Sequence, residues 1–235
     1  MRIAILLPGQ PRFSDNLNSF VSNITGYNQA DWFVYITNNN GNVTDHRRIS
    51  EYWQTFDAAS AYEKIKSFLP KYNFIQSFGV SDDNTQISSE SDTQQRNVQK
   101  MFYNIYKADL MRQQAEKIGN FKYDLVIRTR SDLQLNAELN LQLKIKNNHV
   151  VMPNNNWHAH PHLPSHYIAN DQFAIGTSDS MVAYSSVFPN IQEIVSSIGV
   201  YHPESMVGYN LIMHNTIAER GNFTVPLCRV PLTEI

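Results

Sequence analysis

The residues best suited to chemistry lie in one short stretch, where Arg128, Arg130 and Asp132 follow an apolar run. These charged residues alternate with Thr129 and Ser131, so an extended conformation would place all three charged side chains on one face. Guanidinium groups bind phosphate oxygens through forked hydrogen bonds, and a carboxylate can hold a divalent cation. The stretch therefore suits a diphosphate and its cation. A structural Arg–Asp ion pair is the alternative, and it would account for at most one of the two arginines.

Polar residues also follow two apolar runs near the amino terminus. Gln10 and Arg12 come after the first run, and Thr37 and Asn38 come at the end of the second. Gln10 could bond a base or a ribose, and Arg12 could bond a phosphate, so we predict that these four residues contact a nucleotide. The first loop lacks the glycine-rich signatures of dinucleotide sites and P-loops, and a tight turn with exposed polar residues is the alternative.

Two further candidates lie in the second half of the chain. Asp171 opens a predicted strand, where its carboxylate could bond an acceptor hydroxyl or act as a base, and capping of a turn is the alternative. His158, His160 and His162 alternate in a loop, and imidazole is a good ligand for transition metals. Their spacing matches no zinc-protease motif, so a solvated or substrate-contacting loop is the alternative for at least two of them.

The elements that would position these residues alternate between strands and helices, which predicts an α/β fold with a mostly parallel central sheet flanked by helices. Ligand sites in such sheets lie at the carboxyl ends of the strands, so we expect the polar residues to meet at one edge. Residues 81–93 are acidic and serine-rich, which predicts a surface loop. Apolar runs predict strands at residues 2–7, 31–37, 72–78, 123–127, 171–176 and 223–230. Helical spacing predicts a helix ending at Gly26, helical stretches at about 49–69 that are broken near Asp57, and helices at about 94–118, 178–188, 190–197 and 204–220.

The composition argues against several functional classes. A formal net charge of −2 over 235 residues is unlike that of a strongly basic nucleic-acid binder. The single cysteine, Cys228, argues against an internal disulfide and a cysteine-cluster zinc site, and it favours a reducing compartment. The first apolar run is too short for a signal peptide or a membrane span. We therefore expect a cytoplasmic protein with no membrane span.

The order of the motifs resembles that of a known family. GQPR after the first strand, MFYNIYKADLM in the long helix, then YDLVIRTRSDL, NDQFAIG and a later helix with PES resemble small GT-A-type glycosyltransferases. Members of this family occur in large viruses and in bacterial gene sets for polysaccharide synthesis. The resemblance covers most of the chain as an ordered set of short motifs, and YDLVIRTRSDL is the most specific of them.

The resemblance implies a Rossmann-like GT-A fold of nucleotide-diphospho-sugar transferases. We expect a single domain over residues 1–235, with a nucleotide-binding half at 1–132 and an acceptor-side half at 133–235. The implied activity is that of a glycosyltransferase of the hexosyltransferase type. It would move a sugar from a nucleoside-diphosphate donor, with a UDP-sugar favoured, to a glycan acceptor with the help of Mn²⁺ or Mg²⁺.

The family's metal-binding motif, Asp-x-Asp, corresponds here to Arg130-Ser131-Asp132, so only the second acid is present. We expect the metal at Asp132 with His158 as a further ligand, nucleotide contacts from Arg128 and Arg130, and catalytic roles for Asp171 and Arg130. Weaker metal binding, a ligand from the histidine loop, and charge neutralisation by arginine without a metal are the alternatives that this departure leaves open.

Two other functions also remain open. One is a metal-dependent hydrolase that uses the loop of His158, His160 and His162, and the other is a non-catalytic module that binds a nucleotide sugar.

Overall fold

A computed structural model describes residues 1–11, 29–38, 42–44, 52–54, 57–81, 93–133, 145–155 and 157–225. Two strands form a separate antiparallel pair, β3 (Asn42–Thr44) and β4 (Tyr52–Gln54). The main sheet has seven strands, which are in chain order β1 (Ile3–Gly9), β2 (Ala30–Thr37), β5 (Asn73–Ser81), β6 (Leu125–Arg128), β7 (His149–Met152), β8 (Ala174–Gly176) and β9 (Ile217–Arg220).

The spatial order of the main sheet is β5-β2-β1-β6-β8-β7-β9. Strand β8 runs antiparallel to both of its neighbours, and the other pairings in the sheet are parallel. Strands from both predicted halves of the chain join this one sheet. The predicted α/β fold with a mostly parallel central sheet is therefore confirmed.

Side chains of β1 are buried on both faces of the sheet, which explains its continuous apolar run. Ala4 and Leu6 belong to the core on the face covered by the long helix α2 (Thr93–Gly119). Ile3, Ile5 and Leu7 belong to the core on the opposite face, together with buried residues of α1 (Ala58–Phe68). Because successive side chains of a strand point to opposite faces of the sheet, the residues of this one apolar run belong to two different cores.

A buried ion network anchors α2 beside the start of β6. The fully buried Arg112 donates to Asp109 Oδ1 at 2.7 Å and pairs with Glu116 Oε2 at 2.9 Å. Glu116 Oε1 accepts a hydrogen bond from the Tyr123 amide at 2.8 Å, and Glu116 Oε2 accepts one from Ser178 Oγ at 2.9 Å. The network therefore fixes α2 relative to the strand that carries the predicted site.

Three helices cover the carboxyl-terminal half of the sheet: α3 (Ser178–Ser185), α4 (Ile191–Ile198) and α5 (Pro203–Met213). Helix α5 packs closely on the short 3₁₀ turn Ser165–Tyr167. A Cβ atom on Gly208 would lie 1.9 Å from the carbonyl oxygen of Tyr167, so this approach requires glycine.

Several predicted elements differ from the structure. The helix predicted before the break near Asp57 is wrong, because Tyr52–Gln54 is a strand. The helix predicted after that break is α1, which begins after Asp57, whose Oδ1 accepts from the Ser60 amide at 2.9 Å. The predicted helix at 204–220 ends at Met213, since Asn215 has a φ of +52° and the chain then forms β9.

Other predictions concern residues at or beyond the limits of the described ranges. Residues 223–225 form no strand, and the rest of the strand predicted at 223–230 lies outside the described residues. The helix predicted to end at Gly26 and most of the loop at 81–93 also lie outside them. The searched part of the chain contains no helix with the length and apolar character needed to cross a membrane.

Candidate functional site

The strand order of the main sheet reverses between β1 and β6. The chain proceeds from β1 to β2 and β5 on one side, and β6 then pairs with the other side of β1. In open α/β sheets, ligands bind in the crevice outside the carboxyl ends of the strands at such a switch point. The loops after β1 and β6 are joined here, because Ser131 Oγ donates to the Gln10 carbonyl oxygen at 3.2 Å. These loops define the candidate site.

Most of the predicted site residues lie at this edge, on four neighbouring strands. Asn38 follows β2, Gln10 follows β1, and Arg128 ends β6. Asp171 precedes β8, whose amino end adjoins the carboxyl end of β6 because the two strands are antiparallel. Arg12 lies outside the described residues.

Four buried polar atoms at this edge lack a hydrogen-bond partner among the described residues, and we call them the open atoms. They are Nε and Nη1 of Arg128, Oδ1 of Asp171 and Oδ1 of Asn38. A fifth such atom in the described part of the chain is Ser185 Oγ in α3. Buried polar groups are nearly always paired, so the concentration of open atoms at this edge marks it as the candidate ligand site.

Arg128 is a buried cation, with 1% of its surface exposed. Its side chain lies on the same face as Val126, towards the core covered by α2. Burial lowers the pKa of its guanidinium below the usual value, the charge of Asp171 opposes this shift, and the charge of Arg130 adds to it. Arginine stays protonated in proteins, so Arg128 brings a buried positive charge to the site, and the charge of Asp171 offsets it only in part.

Arg130 and Asp132 form a bidentate ion pair. Arg130 Nε and Nη2 donate to Asp132 Oδ1 and Oδ2 at 2.8 and 2.7 Å. Burial alone would lower the pKa of Arg130, but the charge and hydrogen bonds of Asp132 raise it above the usual value. The chain turns at Ser131 and Asp132, so the prediction of one extended face with three charged side chains is wrong. Arg130 therefore forms the structural Arg–Asp ion pair that was the alternative interpretation. Arg128 does not take part in this ion pair with Asp132.

Asp171 lies in a tight turn before β8 rather than within the strand. Oδ1 of Asn170 accepts hydrogen bonds from the amides of Gln172 and Phe173 at 2.9 and 2.8 Å, which holds the turn. The hydroxyl of the buried Tyr184 donates to the Asn170 carbonyl oxygen at 3.1 Å. Burial, together with the charge of Asp171, raises the pKa of Tyr184, so this hydroxyl keeps its proton. These contacts position the Asp171 carboxylate beside Arg128.

Thr37 and Asn38 differ in what they can offer a nucleotide. Thr37 Oγ1 accepts from Asn104 Nδ2 at 2.8 Å, and Asn104 Oδ1 accepts from Ser81 Oγ at 3.1 Å, so Thr37 joins β2 to α2 and β5. Asn38 donates its backbone amide to the Ser81 carbonyl oxygen at 3.0 Å. Because its side chain carries an open Oδ1, Asn38 is better placed than Thr37 to bind a ligand.

His202, which the sequence analysis did not select, lies among the predicted histidines. Its ring centroid is 5.4 Å from that of His160, and the His160 centroid is 5.7 Å from that of His162. Glu204 Oε2 lies 3.5 Å from His202 Nε2, yet burial and the neighbouring imidazoles keep the pKa of His202 below its usual value. The Ala169 amide donates to the Glu204 carbonyl oxygen at 3.1 Å, which places His202 and the start of α5 next to the turn of Asp171.

The donor set at the predicted metal position does not fit a divalent cation as the side chains stand. Both oxygens of Asp132 accept hydrogen bonds from Arg130, so a cation at this carboxylate would have to share it with a guanidinium. A group of three or more His, Cys, Asp or Glu side chains arranged to hold a metal is absent from the described residues. His158 is exposed and near His202. Metal binding at Asp132 and His158 stays a prediction.

A surface cleft of about 640 Å³ lies at the opposite edge of the sheet. It is lined by the last turns of α2 and by Asn120, Phe121 and Lys122, which precede β6. The open atoms belong to residues that lie elsewhere, so the cleft lacks the feature that marks the candidate site.

Comparison of the chain with models of known protein families gives no match, and comparison with curated protein sequences gives none either.

Proposed function

We propose that the protein is a glycosyltransferase that moves a sugar from a nucleoside-diphosphate donor, with a UDP-sugar favoured, to a glycan acceptor. The observation that carries this proposal is the buried guanidinium of Arg128 with open Nε and Nη1 atoms at the switch point of the sheet.

A diphosphate suits Arg128 for an energetic reason. A buried donor without a partner costs about 1–3 kcal/mol, and hydrogen bonds between a guanidinium and phosphate oxygens are charge-assisted and strong. A bound diphosphate would supply acceptors for both open nitrogens and would balance the charge. Arg130 uses two of its five N–H groups in the pair with Asp132, which leaves three for a second set of phosphate contacts.

The open oxygen of Asp171 suits the other half of the reaction. During transfer, the bond between the anomeric carbon and the diphosphate oxygen breaks, and its electron pair stays on the diphosphate, which faces Arg128. The acceptor hydroxyl oxygen forms the new bond to the anomeric carbon, and its proton passes to Asp171 as general base. A cation and a carboxylate side by side thus match the charges that develop on the leaving group and on the acceptor.

The remaining residues support a nucleotide donor. The backbone of Gln10 is fixed beside the β6 loop by Ser131, and Asn38 offers its open Oδ1 two strands from β6. Both residues carry amide groups that can bond the edges of a base or a ribose. The seven-stranded α/β sheet is compatible with the Rossmann-like form of GT-A that the sequence resemblance implies.

A nucleotide panel tests the proposal. Thermal unfolding is measured with UDP, GDP and dTDP, each with and without Mn²⁺. A nucleotide at one hundred times its dissociation constant should stabilise the protein by about 2.7 kcal/mol. If none of them stabilises the protein, the proposed function is wrong.

An activity measurement then separates a transferase from a binding module. Release of nucleoside diphosphate from UDP-sugars is followed with a panel of glycan acceptors. The Asp171→Asn variant should lose roughly 10²–10⁴-fold in rate while keeping nucleotide affinity. Nucleotide-sugar binding with no transfer and no hydrolysis across the panel would instead support a non-catalytic module.

A further inference from the structure

We propose that this site binds and neutralises the diphosphate with arginine side chains and needs no divalent cation to do so. The inference rests on the proposed function and specifies how that function handles charge.

The first observation is the state of Asp132, the acid that corresponds to the second position of the metal-binding motif. The side-on fork of Arg130 occupies both of its oxygens at 2.8 and 2.7 Å, and only 5% of the Asp132 side chain is exposed. Mn²⁺ and Mg²⁺ bind through carboxylate oxygens, so a cation would compete with a fixed, charge-assisted pair. Asp132 acts in this arrangement as a positioning residue for Arg130.

The second observation is that Arg130 stands two residues before Asp132, where a second carboxylate could have shared a cation. The site offers a positive side chain at this position and not a negative ligand. A divalent cation then loses a ligand and gains a repulsive neighbour, whereas a diphosphate gains a partner. The charge of Arg130 therefore favours direct contact between protein and phosphate.

The third observation is Arg128, whose open nitrogens would require a partner even if a cation were present. Its guanidinium lies on the buried face of β6, and Arg130 follows two residues later. Charge repulsion between the two guanidiniums contributes to the lowered pKa of Arg128. An anion with several oxygens would relieve this repulsion by binding both groups.

The test measures binding of UDP to the full chain by calorimetry, in excess EDTA and in saturating Mn²⁺. We expect the two dissociation constants to agree within about threefold, a difference of less than 1 kcal/mol. Arg128→Met should weaken binding in EDTA by at least tenfold, which is the loss expected for a hydrogen bond to a charged group.

The Asp132→Asn variant gives the sharpest contrast, because it keeps the size of the side chain and removes its charge. Because Asp132 acts through Arg130 and not through a cation, the variant should lower UDP affinity by the same factor in EDTA and in saturating Mn²⁺. Binding that requires Mn²⁺ and is lost in Asp132→Asn would overturn the inference and leave the proposed function intact. Absence of UDP binding under both conditions, after a panel in which no other nucleoside diphosphate binds, would overturn the proposed function itself.

Discussion

Arg128 should lower the stability of the protein without ligand and should be required for nucleotide binding. In Arg128→Met the volume is largely kept, while two open donors and a buried charge are removed. Each open donor lowers the free energy of unfolding by about 1–3 kcal/mol, so its removal should stabilise the protein. The variant also loses the attraction between Arg128 and Asp171, which offsets part of this stabilisation. We therefore expect the free energy of unfolding to rise by about 2 kcal/mol. For a domain of this size, that change corresponds to a rise of about 4–8 °C in Tm.

The assay is thermal unfolding followed by circular dichroism, with and without UDP. Arg128→Met should unfold at a higher temperature than the wild type and should gain no further stability from UDP. Higher stability with loss of binding is the trade-off expected when a ligand-binding residue is replaced. The hydrogen-bonding groups of such a residue can lack partners in the free protein, because the ligand provides them.

Arg112→Met provides the matched control, since it makes the same substitution at another buried arginine of the same fold. Arg112 is paired with Asp109 and Glu116, so its removal leaves buried charges and should cost about 3–5 kcal/mol. If Arg128→Met is destabilised like the control, or if UDP still stabilises the variant, then Arg128 is a structural residue and does not bind the nucleotide.

Three further predictions concern the scaffold. Gly208→Ala should cost about 1–3 kcal/mol in urea unfolding, because its Cβ would meet the Tyr167 carbonyl; a wild-type midpoint would contradict the close approach. Asp57→Ala should cost about 1 kcal/mol through loss of the helix cap, and Asp57→Asn should restore most of it. The pKa of His202 lies below 6.5 in the folded state, so stability should fall as pH drops through about 6.5; His202→Gln should reduce this slope, and an unchanged slope would contradict the assignment.

The sheet, and the meeting of the candidate-site residues at one of its edges, could be predicted from local sequence patterns. The periodicity of residues 94–118 marks α2, and the apolar runs before Gln10 and Arg128 mark two strands of the central sheet. Because the carboxyl ends of parallel strands share an edge, the sequence also predicts that these residues meet. The strand β9 was missed because helical spacing continues past Met213, and a positive φ at Asn215 ends the helix without a glycine or proline signal.

The pairings within the site could not be predicted, because they depend on a turn and on tertiary burial. Alternation in the sequence suggests that Arg130 and Asp132 point into a common space, whereas the turn at Ser131 makes them each other's partners. Arg112 has acids at i−3 and i+4, a pattern equally typical of an exposed helix surface, and only the packing shows that it is buried. His202 joins the loop of His160 from a distant part of the chain.

The most direct test of the central claim is a crystal structure of the protein with bound UDP. We expect diphosphate oxygens about 3 Å from Nε and Nη1 of Arg128, with the nucleoside between Gln10 and Asn38. A nucleotide bound in the cleft beside Phe121 or on the histidine loop, with no contact to Arg128, would contradict it.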